Sequence, residues 1–204
     1  MMSASAALQC LRDGNQRFAA IRAGDREATG ALSLSSDGAF AIILGCSDPR
    51  VAPEIIFDQG LNQLFVVRIA GNIVTPAQRE TIEFAAERFG IRLVVVLGHS
   101  GCQAVAVTID ALRQGQAVGD GPSLLVDSIR PAVEPLLTTD MAGDHSELMN
   151  QAVRANIHLS ANQLRQGSPV LKQLIQTDGL AVVGAEYSVE TGLVQFFEEL
   201  TDVS

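Results

Sequence analysis

The chain has 204 residues, of which 47% are hydrophobic and 18% charged, and its formal net charge is −9. A chain of this length buries about 70% of its unfolded surface, so a folded domain with a sizeable core is expected and disorder is not. The acidic excess argues against nucleic acid, whose phosphates need concentrated Lys and Arg, and no apolar run approaches the roughly 20 residues of a membrane span.

Met1 to Asp13 lacks the basic start and unbroken apolar core of a secretory signal. The three cysteines, Cys10, Cys46 and Cys102, are odd in number and widely spread, unlike a disulfide framework. A cytoplasmic setting with free thiols is the expectation.

Ala4 to Ile21 places Leu8, Leu11, Phe18 and Ile21 at helical spacing, interrupted by Gly14, and reads as two helical pieces sharing one apolar face, which can pack on its own domain or on a neighbouring subunit. A polar stretch from Arg22 to Gly38 follows. Ala41-Ile42-Ile43-Leu44-Gly45 is then a short apolar run bounded by turn residues, which reads as a buried strand. Val51 to Phe57 is a short helix or turn, and Leu64 to Ile69 a further strand ending at Ala70-Gly71-Asn72. Thr75, Pro76 and Gln78 mark a helix start with a capping box. That helix points Ile82, Ala85, Ala86 and Phe89 inward and stops at Gly90.

Ile91 to Leu97 is a second buried strand, so strand, helix and strand argue a parallel βαβ unit. Gly101 to Gln114 reads as a helix with Cys102 in its first turn, where the helix dipole favours a thiolate. Pro122, Pro131 and Pro135 predict a broken helix. Asp144 with Glu147 opens a longer one to about Gln166, carrying Leu148, Ala152, Ala155, Leu159 and Leu164 inward. Gly167-Ser168-Pro169 is a stop and restart. Leu180 to Ala185 is a strand, turned by Glu190-Thr191-Gly192 towards Leu193 to Phe197. The pattern is α/β: a central, mostly parallel sheet flanked by helices, with an N-terminal helical arm. One domain over 1–204 is expected, with the arm over 1–22 and an α/β core over 41–204.

The chemistry gathers at two strand ends. Cys46-Ser47-Asp48-Pro49-Arg50 follows the first buried strand, and His99-Ser100-Gly101-Cys102 follows the second. Open α/β sheets bind ligands outside the carboxyl ends of their strands. Zinc takes thiolate and imidazole ligands in a tetrahedron, and a catalytic site keeps one position for water. Cys46, His99 and Cys102 supply three such ligands. Asp48 and Arg50 are alternate residues of an extended segment and so share a side, where a carboxylate–guanidinium pair can form. Asp48 is either a fourth ligand or an acceptor for the water. Cys10, on the leading helix, is read as a small hydrophobe. His145 and His158 are read as surface or satisfied core groups.

These two motifs, C-x-D-x-R and H-x-x-C, closely resemble those of the β-class carbonic anhydrases. The likeness extends to Leu11-Arg12-Asp13-Gly14-Asn15-Gln16-Arg17-Phe18, to Phe65 through Val74, and to Tyr187 through Gly192. The resemblance implies zinc on Cys46, His99 and Cys102, an Asp48–Arg50 dyad, and reversible hydration of carbon dioxide to bicarbonate. It also implies a homodimer or homotetramer, with the leading helix laid across the partner. Asp37, Gly71 and Asn72 are the candidate substrate-binding positions.

The chain departs from the family pattern in places. Asp37 stands where the family has a Gln thought to donate to substrate, Ala39 where it has Pro, and Gln103 where it usually has Gly. Pro49 replaces a common Ser or Thr, and Ile43 replaces a Trp that some members use to bind inhibitory bicarbonate. Two rival readings follow from Asp37 and Gln103. One is hydrolysis of carbon disulfide or carbonyl sulfide on the same zinc; the other is a catalytically weak protein that binds zinc and bicarbonate.

Overall fold

The structure is a computed structural model that describes residues 2–25, 38–115, 123–138 and 144–200. Asp37 lies outside the described residues. Strands β1 (Ala41–Gly45) and β3 (Leu93–His99) are buried along their whole length, which is why both read as unbroken apolar runs. With β2 (Leu64–Arg68), β4 (Ala181–Tyr187) and β5 (Val194–Phe196) they form one sheet among the described residues, in the order β2-β1-β3-β4-β5. The first four strands are parallel, and β5 runs antiparallel to β4 after the turn at Gly192. The chain leaves β1 to one side for β2 and then returns to its other side for β3. The order therefore reverses between β1 and β3, the crevice where such sheets take their ligands.

Alternation along the strands divides the core in two. Ile42, Leu44, Val94, Val96 and Val182 face a layer made by α3 (Pro76–Arg88), α4 (Gln103–Arg113), α5 (Ser123–Val133), α6 (His145–Gly167) and α7 (Pro169–Thr177). Ala41, Ile43, Leu93, Val95, Leu97 and Val183 face α1 (Ala4–Arg22) and the short α2 (Pro53–Ile56). Ile43, at the family's Trp position, is fully buried in this second layer.

Several expectations are corrected here. The N-terminal segment is one continuous helix, α1, and Gly14 does not interrupt it. A side chain there would place its Cβ 1.8 Å from the Phe57 carbonyl oxygen, so the glycine marks close approach of two backbones. The apolar face of α1, with Ala7, Leu8 and Leu11, lies on the chain's own sheet, one of the two placements that its spacing allows. Thr75 and Pro76 do begin α3, but Thr75 bonds the Gln78 side chain and makes no side-chain cap to the backbone. Phe89 is 53% exposed and packs against Phe65 and Phe84 at the surface.

Helix α5 runs through Pro131, which stands in its last turn, and continues as a 3₁₀ segment, Glu134–Thr138. In α6 the buried stripe is Leu148, Ala152, Val153, Asn156, Ile157, Ser160, Ala161 and Leu164, so Ala155 and Leu159 lie at its margin. Its depth is set by two strand glycines. A Cβ on Gly98 would lie 2.5 Å from Ile157 Cδ1, and one on Gly184 2.9 Å from Ile157 Cγ2. Ile157 fills the slot that they leave.

Candidate metal centre

Parallel register places Gly45 of β1 beside Leu97 of β3. Cys46 follows the first, His99 ends the second strand, and Cys102 caps α4 one tight turn later, with Gly101 at φ 64°. One donor atom from each of these three buried residues lies within 4.8 Å of the other two. The sequence-predicted ligand set is therefore brought together, while Cys10 sits apart on α1.

The ring of His99 is fully buried. Its Nδ1 lies 3.1 Å from the Ser100 carbonyl oxygen. A carbonyl only accepts, so Nδ1 carries the proton, and in the neutral ring Nε2 presents a lone pair. That buried Nε2 has no hydrogen-bond partner. An unpartnered acceptor is costly in a protein interior, and an ion between it and two sulfurs removes the cost. The donor set fits a soft divalent cation, for which bond lengths of about 2.0–2.3 Å separate the ligand atoms by roughly 3.5 Å.

The two thiols face each other and move in opposite directions. The Cys46 thiol is pulled well down, chiefly by the hydrogen bond from Cys102; burial opposes this, while His99 and the backbone at Asp48 and Gly71 assist. The same hydrogen bond, with burial, pushes Cys102 up, and the Ala104 and Val105 amides at the start of α4 oppose the rise. The pair therefore favours losing its first proton from Cys46, and a bound cation would displace the second. The Gly71 amide donates to Cys46 Sγ at 3.4 Å. Gly71 and Asn72 are both buried in a tight turn, Ala70–Asn72, and their φ angles of 67° and 44° are left-handed.

Asp48 and Arg50 share a side, as their spacing predicts. Arg50 Nε donates to Asp48 Oδ1 at 2.9 Å and Nη2 to Oδ2 at 2.7 Å, and the Arg50 amide donates to Oδ1 at 2.9 Å. These bonds hold the Asp48 carboxyl down to about 2, with burial opposing. Asp48 Oδ2 is 3.9 Å from His99 Nε2. Asp48 thus stands beside the donor triangle with both oxygens engaged by Arg50. Gln103 is exposed at the first position of α4.

One contributor escaped the sequence reading. Arg68, at the end of β2, donates to the carbonyls of Cys46 at 3.1 Å and Asp48 at 2.7 Å, fixing the loop that carries both. The available signal was a charge closing an apolar strand, whose target is visible only from the register of Arg68 with Gly45.

A profile of the carbonic anhydrase family matches residues 41–194, three-quarters of the chain and both motifs. The chain belongs to the β-carbonic anhydrase family. A carbonic anhydrase of Mycolicibacterium smegmatis is 33% identical over 201 residues, covering 97% of this chain and 95% of that protein. Carbonic anhydrase 2 of Mycobacterium tuberculosis is 33% identical over 195 residues, covering 92% and 89%. In fold, the chain is similar to a β-carbonic anhydrase of Aspergillus fumigatus, with a TM-score of 0.70 at 22% identity, over 97% and 91% of the two chains. A Coccomyxa β-carbonic anhydrase gives 0.66 at 21%, over 93% and 86%. Membership in the β-carbonic anhydrase family accords with the order of the strands and with the two strand ends that bear the motifs.

Proposed function

We propose that this member of the family holds zinc on Cys46, His99 and Cys102 and interconverts carbon dioxide and bicarbonate. The observation that carries this reading is the buried donor triangle with its unpartnered His99 Nε2, set beside a carboxylate doubly held by arginine. Zinc in such a site would supply hydroxide at neutral pH, by lowering the pKa of bound water towards about 7.

The chain's own residues do the rest. Asp48 accepts the O–H hydrogen of the attacking nucleophile, which turns the oxygen lone pair towards the carbon of carbon dioxide. Arg50 keeps that carboxylate ionised and pointed, and prevents it from swinging onto the metal. Buried Cys46 and Cys102 bring negative charge that moderates the cation. The forward reaction takes up water and releases bicarbonate and a proton. By resemblance we place Asp37, Gly71 and Asn72 at the substrate; Asp37→Gln should then change the catalytic efficiency for carbon dioxide.

We further propose a second copy of the chain as partner, in a dimer or tetramer. Exposed Phe89, with exposed Phe84 and with Phe65 packed on it beside β2, the edge strand among the described residues, supports self-association. We place the enzyme in the cytoplasm, because its ligand thiols must stay reduced to bind metal. Stopped-flow hydration of carbon dioxide by zinc-replete protein tests the activity. Sulfide release from carbonyl sulfide, run beside it, checks the substrate. Sulfide release without hydration would overturn the assignment, and so would activity in neither assay.

A further inference from the structure

Asn156 lies in the middle of α6 and is 1% exposed. Polar residues at such depth need a partner. Its Nδ2 donates to the Gly71 carbonyl at 2.8 Å, and its Oδ1 has no hydrogen-bond partner. The amide is therefore engaged on the side that faces the turn Ala70–Asn72. That turn takes two successive left-handed residues, Gly71 and then Asn72 at φ 44°, the residue types best suited to that conformation, and its place is fixed from outside by Asn156. It also admits no side chain at Gly71, where a Cβ would lie 2.8 Å from Ile129 Cδ1 and 3.1 Å from Ala104 Cβ. The consequence of the turn is that the Gly71 N–H points at Cys46 Sγ.

We infer that Asn156 is a positioning residue for the metal centre, holding the Gly71 turn so that its amide donates to the Cys46 sulfur. The inference rests on the zinc reading above. An N–H donated to a thiolate withdraws charge from it and fixes its direction, and partners of metal ligands commonly set metal affinity. Asn156 reaches its place because the neighbouring Ile157 seats in the slot left by Gly98 and Gly184. Helix α6 thus carries packing and site geometry on consecutive residues. The slot sets the depth of the helix, and the amide converts that depth into a hydrogen bond on the turn.

The test uses the full chain loaded with cobalt(II) and, separately, with zinc. Asn156→Leu fills the space without a donor, Asn156→Ala removes the side chain, and Ile157→Val loosens the packing while keeping the amide. Both Asn156 variants should weaken zinc binding about 10–100-fold in chelator competition and shift the thiolate-to-cobalt charge-transfer band. Ile157→Val should lower Tm yet leave affinity within about twofold and the band in place. In the wild-type chain loaded with ¹¹³Cd, the Gly71 amide proton should show scalar coupling to the metal through Cys46 Sγ, a measurement that needs no variant. Wild-type affinity and band in Asn156→Ala would overturn the inference, as would equal shifts in Ile157→Val or an uncoupled Gly71 amide. A wild-type chain that takes up no metal would instead overturn the zinc reading, and the role of Asn156 with it.

Discussion

Arg50 directs three donors at one carboxylate, and the geometry explains why a lysine would not serve. Two parallel N–H groups match two oxygens, and a single ammonium cannot hold both. Arg50→Ala and Arg50→Lys should each lower hydration activity, the first by about a hundredfold, the scale on which a positioned acid or base contributes; stopped-flow rates on zinc-loaded protein check this. The sign of the pH effect follows from the lowered carboxyl. Asp48 moves from 3.8 down to about 2, so the stabilisation from its pair is complete above about pH 4 and is lost as pH falls through about 2. In Arg50→Ala, that loss should move up towards the ordinary carboxyl value, as read from the Asp48 carboxyl carbon by NMR in metal-free protein. Of the three proposed ligands, Cys46→Ser, His99→Ala and Cys102→Ser should each lose bound zinc by elemental analysis. Cys10→Ser, on α1 and outside the group of three donors, should retain one zinc per chain.

At the scale of elements, Gly14 and Asn15 decide how α1 meets the rest. Asn15 Nδ2 donates to the carbonyls of Ile56 at 3.1 Å and Gly192 at 2.9 Å, and its Oδ1 accepts from Val194 N at 2.8 Å. One buried amide thereby joins α1, α2 and the β4–β5 turn. Gly14→Ala would press a methyl into the Phe57 carbonyl and lift the helix. A loss of about 1–3 kcal/mol, typical of overpacking, is expected in urea unfolding. The buried strands were legible in the sequence because a parallel strand covered on both faces is apolar along its run, as β1 is and as β3 is up to Gly98. Their ends were legible too, since Cys46, Asp48, Arg50, His99 and Cys102 are chemistry-bearing types clustered after glycines. Gly14 was misread because an absent side chain reports crowding that Phe57 supplies from elsewhere. The stripe of α6 was misplaced because periodicity counts apolar residues, and Asn156 and Ser160 are buried for their hydrogen-bonding and size. Arg68 was missed because its partners are set by register across β1 and β2.

For the molecule as a whole, α1 and α2 are what separate one face of the sheet from water. Leu93, Val95 and Leu97 are fully buried beneath that layer, together with Leu11. Deleting residues 2–22 should therefore expose a contiguous apolar face, and dye binding with a lowered urea midpoint should follow. Retention of the wild-type midpoint would show that the arm is dispensable to its own sheet. The division of the three proposed ligands between the end of β1 and the β3–α4 junction has a consequence in time. During synthesis, Cys46 leaves the ribosome long before His99 and Cys102, with β2 and α3 made in between. A solitary thiol is a poor zinc site, so the nascent chain offers the ion nothing durable until parallel pairing of β1 with β3 closes that long crossover. Metal capture then becomes a late event that reports finished topology, and a chain stalled before Cys102 should remain zinc-free.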